Sequence, residues 1–198
     1  MPNIEPTTAE QQKCVEKAIK VKNPLLYLGE LQYQYNTENY TFYCRTKADM
    51  NSKDLKWAFK LAETNVSQFY KELKLGWQPK VKQTSLNKNW ARYLVAKFKD
   101  TPVAYAMFRF DMDYGNSVIY CYEMQIETAY RRKGLGKFMM ETLENCAKHW
   151  QLEKVILTVL NNNINAMSFF KTIGYILDDS SPDVLEKAEY KILSKCTL

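Results

Sequence analysis

A strand-like run, Tyr120-Cys121-Tyr122-Glu123-Met124-Gln125-Ile126, leads through a short polar link into Arg131-Arg132-Lys133-Gly134-Leu135-Gly136-Lys137. That succession constrains the fold more than any other stretch of the chain. Two glycines let the backbone turn tightly, so successive N–H groups point into one concavity at the start of a helix. The predicted helix runs from about Leu135 to Trp150. An anion fits such a concavity, and Arg131, Arg132, Lys133 and Lys137 add positive charge around it. Two phosphates joined as a pyrophosphate suit the cradle. Two commoner phosphate loops are excluded, because G-x-x-x-x-G-K-[ST] is absent and G-x-G-x-x-G is incomplete.

The elements around this loop predict a mixed α/β chain. A first helix is expected from Thr8 to Val21, stopped before Asn23-Pro24 because proline disfavours helix in the residue ahead of it. Tyr40–Thr46 reads as a strand. Ser52 offers a cap to a long helix whose apolar positions, Leu55, Ala58, Phe59, Ala62, Val66, Phe69, Tyr70 and Leu73, recur at steps of three and four. Gly76 closes it. Three antiparallel strands follow at Arg92–Phe98, Val103–Phe110 and Val118–Ile126, joined by turns at Lys99-Asp100-Thr101-Pro102 and Asp113-Tyr114-Gly115-Asn116. Beyond the loop and its helix come a strand at Lys154–Leu160, a helix at Asn163–Ile173, and strands at Gly174–Asp178 and Tyr190–Ser194. Strand, helix and strand in that order call for a parallel crossover. With neither repeat nor linker, residues 1–198 read as one domain, with a helical extension over about residues 1–39.

Charge and cysteine use narrow the classes of function. Residues 1–99 carry 17 Lys and Arg against 9 Asp and Glu, a net +8; residues 100–198 carry 11 against 13, a net −2. The basic half is either a solvated surface or an attraction for an anionic partner. Five scattered cysteines without a C-x-x-C pair, and a single histidine, His149, leave no close-spaced ligand set for zinc. No metal is expected, and the chain reads as reduced and intracellular. No stretch approaches the roughly 18 consecutive apolar residues a membrane span needs, and the polar start (Met1 to Lys13) is unlike a secretory signal. Membrane association is not expected.

R-R-K-G-L-G-K in this position resembles the acetyl-CoA loop of the GNAT superfamily of N-acetyltransferases. Phe108-Arg109-Phe110-Asp111, Tyr120-Cys121-Tyr122-Glu123, Leu157-Thr158-Val159, Asp178-Asp179-Ser180-Ser181-Pro182 and Tyr190 resemble the NatD branch within it, over roughly Lys53 to Lys195. That branch acetylates the N-terminal amine of histone tails beginning Ser-Gly-Arg-Gly. The resemblance implies a GNAT fold, in which a central, mixed but mostly antiparallel sheet is flanked by helices, here with an added N-terminal helix. It also implies acetyl-CoA as cosubstrate, histone N-terminal peptides as partners, no direct nucleic-acid binding, and residence in nucleus and cytoplasm.

Residue by residue, the resemblance implies that Met124, Gln125 and Ile126 bind the pantetheine arm through their backbone. Arg132, Lys133, Gly134, Leu135, Gly136 and Lys137 are implied to hold the pyrophosphate with backbone amides, and Asn163 to contact the cofactor. Glu123 matches the catalytic carboxylate. Tyr70, Asp111, Met112, Asp113, Tyr122, Thr158, Ser180 and Tyr190 match positions that bind the substrate tail. One departure is Leu75-Gly76-Trp77, where the branch often has Trp-Gly-Trp. The first fifty residues match less well and lack the Lys-rich run of some relatives.

The chemistry is consistent with these roles. An α-amine, with a pKa of about 8 against about 10.4 for lysine, is already partly neutral near pH 7. One carboxylate working through a water gives the modest help it needs, and Glu123 is the candidate. Cys121 has no histidine to activate it, which favours direct transfer in a ternary complex. Asp111, Asp113, Asp178 and Asp179 offer carboxylates for a substrate arginine, and Tyr70, Tyr120, Tyr122 and Tyr190 an aromatic wall.

Plainer roles stand beside these. Glu123 also fits a strand residue paired with a lysine, Asp111 and Asp113 fit turn formers, and Tyr70, Tyr120, Tyr122 and Thr158 fit packing. Asn163 and Ser180 fit caps, His149 fits a partner at a helix C-terminus, and the basic residues of 71–99 fit a solvated face. The alternatives in function are an acetyltransferase for another protein or a small amine, and a non-catalytic module that binds CoA or nucleic acid.

Overall fold

The computed structural model describes residues 7–183 and 185–198. Helix α1 (Thr8–Lys20) opens with a capping box: the Thr7 hydroxyl accepts from the Glu10 N–H, and the Glu10 carboxylate accepts from the Thr7 N–H. Its last carbonyls are held from below. Buried Arg92 donates to Ile19 O at 2.6 Å and Val21 O at 3.0 Å.

The expected helical extension over residues 1–39 is corrected by the structure. Residues 1–6 lie outside the described residues, and helix ends at Lys20. Residues 32–46 instead form a hairpin, β1 (Gln32–Tyr35) and β2 (Glu38–Thr46), with Asn36 in the left-handed region at the turn. The helical reading fails because Gln32-Tyr33-Gln34-Tyr35 alternates, so every second side chain turns to one face.

Helix α2 (Ser52–Lys71), capped by Asn51, and the short α3 (Pro79–Leu86) come next. Strands β3 (Arg92–Phe98), β4 (Thr101–Asp113) and β5 (Asn116–Ile126) form the meander. Its turns are tighter than expected. Only Lys99-Asp100 and Tyr114-Gly115 lie outside the strands, all four with positive φ, as right-twisted hairpins prefer. Asp111 and Asp113 are therefore strand residues, not turn formers. Helix α4 (Leu135–His149), β6 (Lys154–Leu160), α5 (Ile164–Thr172), β7 (Ile176–Leu177) and β8 (Tyr190–Cys196) complete the order.

The strands make one eight-stranded sheet in the order β1-β2-β3-β4-β5-β6-β8-β7. Every neighbouring pair is antiparallel except β5–β6, so the sheet is mixed and mostly antiparallel, as expected. β4 is buried on both faces. Ala104, Ala106, Phe108 and Phe110 join Val15 and Ala18 of α1 with Met139, Met140, Leu143 and Ala147 of α4. Tyr105 and Met107 join Ala58, Leu61 and Ala62 of α2 with Leu86 of α3. Two helical layers thus enclose the sheet. Among the described residues, no helix is long and apolar enough to cross a membrane.

Two irregularities in this sheet make the site. First, Met107 and Phe108 are consecutive on β4 but face Glu123 and Cys121, which leaves Tyr122 as an extra residue on β5. Such a bulge bends the strand and re-aims its side chains. Second, parallel pairing of β5 with β6 stops at Cys121–Leu157, so the later halves of both strands part. A cleft opens there.

A buried ion pair ties β6 to the segment after β7. Lys154 donates to Asp178 at 2.6 Å, and the same carboxylate accepts from the Ser180 amide at 2.9 Å and hydroxyl at 2.6 Å. Burial opposes the charge, but bonds from Lys154, Ser180 and Ser194 outweigh it and hold the Asp178 carboxyl well below the usual carboxylate range. A carboxyl so depressed contributes stability above its unfolded value of about 3.9, and loses it as pH falls toward the folded value. Asp178→Ala is expected to destabilise the protein by about 3 kcal/mol at pH 7. Urea denaturation checks this, with the difference from the parent protein narrowing only in strong acid.

Candidate active site

The bulge at Tyr122 puts two successive residues on the α2–α3 side of the sheet. Tyr122 packs beside Trp90, ring centroids 4.8 Å apart, while Glu123 reaches Lys82 of α3. The carboxylate is held at both oxygens. Lys82 Nζ donates to Oε2 at 2.7 Å and Gln125 Nε2 to Oε1 at 2.5 Å. Gln125 in turn accepts from Asn65 of α2 at 2.9 Å, and Asn65 also donates to Ile126 O at 3.2 Å. This network fixes the carboxylate in one orientation. Burial works against the Lys82 ammonium, but Glu123 and the Tyr70 phenol, whose ring centroid lies 5.1 Å away, hold it charged up to about 12.

Glu123 is therefore paired with a lysine, the plainer of the two roles read from the sequence, and it also lines a cavity. Tyr70, Lys82, Cys121, Tyr122, Met124, Gln125, Thr158 and Asn163 line the same cavity between β5 and β6. The sequence reading missed Lys82, having assigned the basic residues of 71–99 to a solvated face. Its carrier, α3, was not read as an element at all, although Pro79 at a first helical position was an available signal. The Gln125 side chain serves Glu123 rather than the cofactor. Cys121 is buried, and burial, then the Glu123 charge, push its thiol up to about 12.

Beside the cavity lies the loop before α4, where the cradle is expected. Arg132 and Gly134 both have positive φ (61° and 77°) around Lys133, an alternation that turns neighbouring N–H groups the same way. The N–H groups from Arg132 through Lys137 meet no acceptor among the described residues, whereas Arg131 and Phe138 on either side do. Those donors at a helix N-terminus fit a diphosphate. Gly136 lets strand and helices close, since a Cβ there would sit 3.2 Å from both Ile126 and Phe169. The side chains do less than their number implied. Lys133 is tied to Glu38 at 2.8 and 2.9 Å, and Arg131 Nε donates to Ile126 O at 3.0 Å. Lys137 lies along α4 near Glu141.

The remaining candidates divide. Tyr70 lines both the main cavity and a second one, which is also lined by Leu75, Trp77, Gln78 and Val81. The Thr158 hydroxyl shares a 2.6 Å hydrogen bond with Tyr120, whose ring lies 4.4 Å from that of Tyr122. Asn163 caps α5, accepting from the Ala166 N–H at 3.2 Å. Tyr190 opens β8 opposite Leu160, the last residue of β6, which lines the cavity.

Three of the substrate candidates, Met112, Ser180 and Asp111, have partners within the protein. Met112 packs against the α1–α4 core, because alternation along β4 turns it away from Asp111 and Asp113. The Ser180 hydroxyl is used in the turn on Asp178. Asp178 itself is neutralised by Lys154, and Asp111 by Arg109, whose guanidinium lies 5.1 Å from the Trp90 ring and 5.0 Å from that of Tyr122. Asp113 differs: burial, then the Asp111 and Asp178 charges, push its carboxyl upward. Among the described residues, no group of three or more His, Cys, Asp or Glu is placed to hold a metal ion.

Comparison with known proteins agrees with this geometry. A stretch of 78 residues is 28% identical to the spermine/spermidine N(1)-acetyltransferase of Bacillus subtilis, covering 37% of this chain and 51% of that protein. The chain spans about half the length, or less, of the curated relatives it matches. The fold is similar to that of the Escherichia coli ribosomal-protein-S18-alanine N-acetyltransferase (TM-score 0.54, 15% identity, 79% of this chain and 94% of that one). It is also similar to Arabidopsis thaliana Naa50 in complex with the bisubstrate analogue CoA-Ac-MVNAL (TM-score 0.53, 16% identity, 78% and 97%). Residues 57–175 match the acetyltransferase (GNAT) family profile, a span that takes in most of α2, the bulged strand, the cleft and the amide cradle. The chain belongs to the acetyltransferase (GNAT) family.

Proposed function

We propose that this chain is an acetyl-CoA-dependent N-α-acetyltransferase for histone-type tails beginning Ser-Gly-Arg-Gly, working in nucleus and cytoplasm. One observation carries the reading: the doubly held Glu123 carboxylate lines the cleft between β5 and β6, on the strand that leads to the amide cradle. When bound, acetyl-CoA supplies the acetyl thioester. The Arg132–Lys137 amides bind its diphosphate, and the parted edge of β5 at Met124–Ile126 orients the arm toward the cavity. Glu123 accepts the proton of the incoming amine through a water. An α-amine suits a site that offers one carboxylate through a water, because at a pKa of about 8 it is already partly neutral near pH 7, whereas a lysine of about 10.4 is not. The Cys121 thiol, buried and protonated, supports direct transfer over an acyl-enzyme.

The Arg preference rests on Asp113. Around it stand two further carboxylates, Asp111 and Asp178, and two cations, Arg109 and Lys154, so one further cation balances the cluster of three carboxylates. Asp113→Asn is expected to lower kcat/KM about tenfold or more for a peptide with Arg at position three, and little for one with Ala. Equal losses on both peptides would remove this subsite. A second reading, a small polyamine as acceptor, is favoured by the similarity to the spermine/spermidine acetyltransferase. Thiol release with H-Ser-Gly-Arg-Gly, its N-blocked form and spermidine separates the two. The proposal requires turnover with the free peptide alone.

A further inference from the structure

The first hairpin lies outside the family match, yet it grips the cradle. The Tyr33 hydroxyl donates to Lys133 O at 2.7 Å, and its ring packs on Phe138 of α4 with centroids 5.0 Å apart. Glu38 takes the Lys133 ammonium with both oxygens and accepts from the Tyr40 hydroxyl at 2.5 Å. A Cβ at Gly134 would stand 2.2 Å from the Tyr33 oxygen, so hairpin and loop are in direct contact at the glycine.

A trans peptide points its carbonyl and the following N–H in opposite directions. With the Lys133 carbonyl aimed at Tyr33, the Gly134 N–H is turned away from the hairpin, toward the side where a diphosphate would sit. The turn also holds Arg132, a non-glycine residue, at φ 61°, a conformation that needs outside support. We propose that Tyr33 and Glu38 are positioning residues for the cofactor, the hairpin holding the Lys133–Gly134 peptide in its anion-binding orientation before CoA arrives. Lys133 thus spends its charge on anchoring rather than on phosphate. Pre-ordering the loop removes an entropic penalty from binding. The inference rests on the reading of the cradle as the CoA site, and the experiment is arranged so that the two fail separately.

The test is Tyr33→Phe in the full chain, which keeps the ring packing and deletes one hydroxyl. Calorimetry with CoA is expected to show Kd raised about three- to tenfold, the loss of one neutral hydrogen bond. Hydrogen exchange on the free protein is expected to quicken at the Arg131 and Phe138 amides, the hydrogen-bonded pair that flanks the loop, with the strands β3–β5 unchanged. Melting should stay close to the parent protein. Faster exchange across the whole sheet would mean a merely structural hydroxyl, and unchanged Kd with unchanged loop exchange would overturn the proposal. Should the parent protein bind no CoA, the cradle reading fails, and the exchange measurement still decides whether Tyr33 orders the loop.

Discussion

Glu123→Gln is expected to lower kcat/KM by a factor of about 10² to 10⁴, the range for loss of a general base, while CoA affinity stays unchanged. The substitution keeps the shape of the side chain but removes its charge, so the site loses its base and Lys82 loses its counter-ion, which adds a stability cost. Asn65 of α2 still holds Gln125 and the Ile126 carbonyl of β5, so the strand and the cradle beyond it are left in place. A non-catalytic module makes the opposite prediction, since its CoA binding and its absence of turnover are both indifferent to Glu123. Thiol release under saturating acetyl-CoA, set beside calorimetry on the same preparation, checks the two halves together.

Lys82→Met is expected to change both rate and pH dependence. The pair is largely buried, with 14% of the Lys82 side chain and 9% of that of Glu123 exposed. Losing one partner of such a pair destabilises by about 3 kcal/mol, because the other charge is left without its counter-ion. The lysine itself does not titrate near neutrality. Its folded value of about 12 lies above the unfolded value of about 10.4, so its contribution is complete below that and fades only as pH rises through 12. A change near pH 7 is therefore not the ionisation of the lysine itself. Without the ammonium, burial favours the neutral carboxyl, which cannot act as a base. The acid limb of the kcat/KM profile should move to higher pH in Lys82→Met and return in Lys82→Arg. An unmoved limb in both would show that Lys82 only packs.

How much the sequence disclosed depends on how each feature is encoded. The cradle was legible because a tight turn into a helix needs glycine at particular backbone positions, and Gly134 and Gly136 announce it locally. The amphipathic α2 and the β3–β5 meander were legible from periodicity. The bulge at Tyr122 was not, since it exists only in register with Met107 and Phe108 across the sheet. Lys82 was hidden for a similar reason. α3 buries only Leu86 and carries an exposed Val81, so its period is too faint to reveal which face meets β5. Alternation along β4 already separates Met112, which packs on the α1–α4 core, from Asp111 and Asp113. The cations that neutralise Asp111 and Asp178 lie on strands of the sheet, and folding brings the second of them, Lys154, across from another segment.

The most direct test is a crystal structure of the protein with CoA and a Ser-Gly-Arg-Gly peptide. The diphosphate should lie on the amides of Arg132 to Lys137, and the first nitrogen of the peptide within one water of the Glu123 carboxylate, in the parting of β5 and β6. A diphosphate bound elsewhere, or a peptide nitrogen on the far side of the sheet from Glu123, would contradict the account.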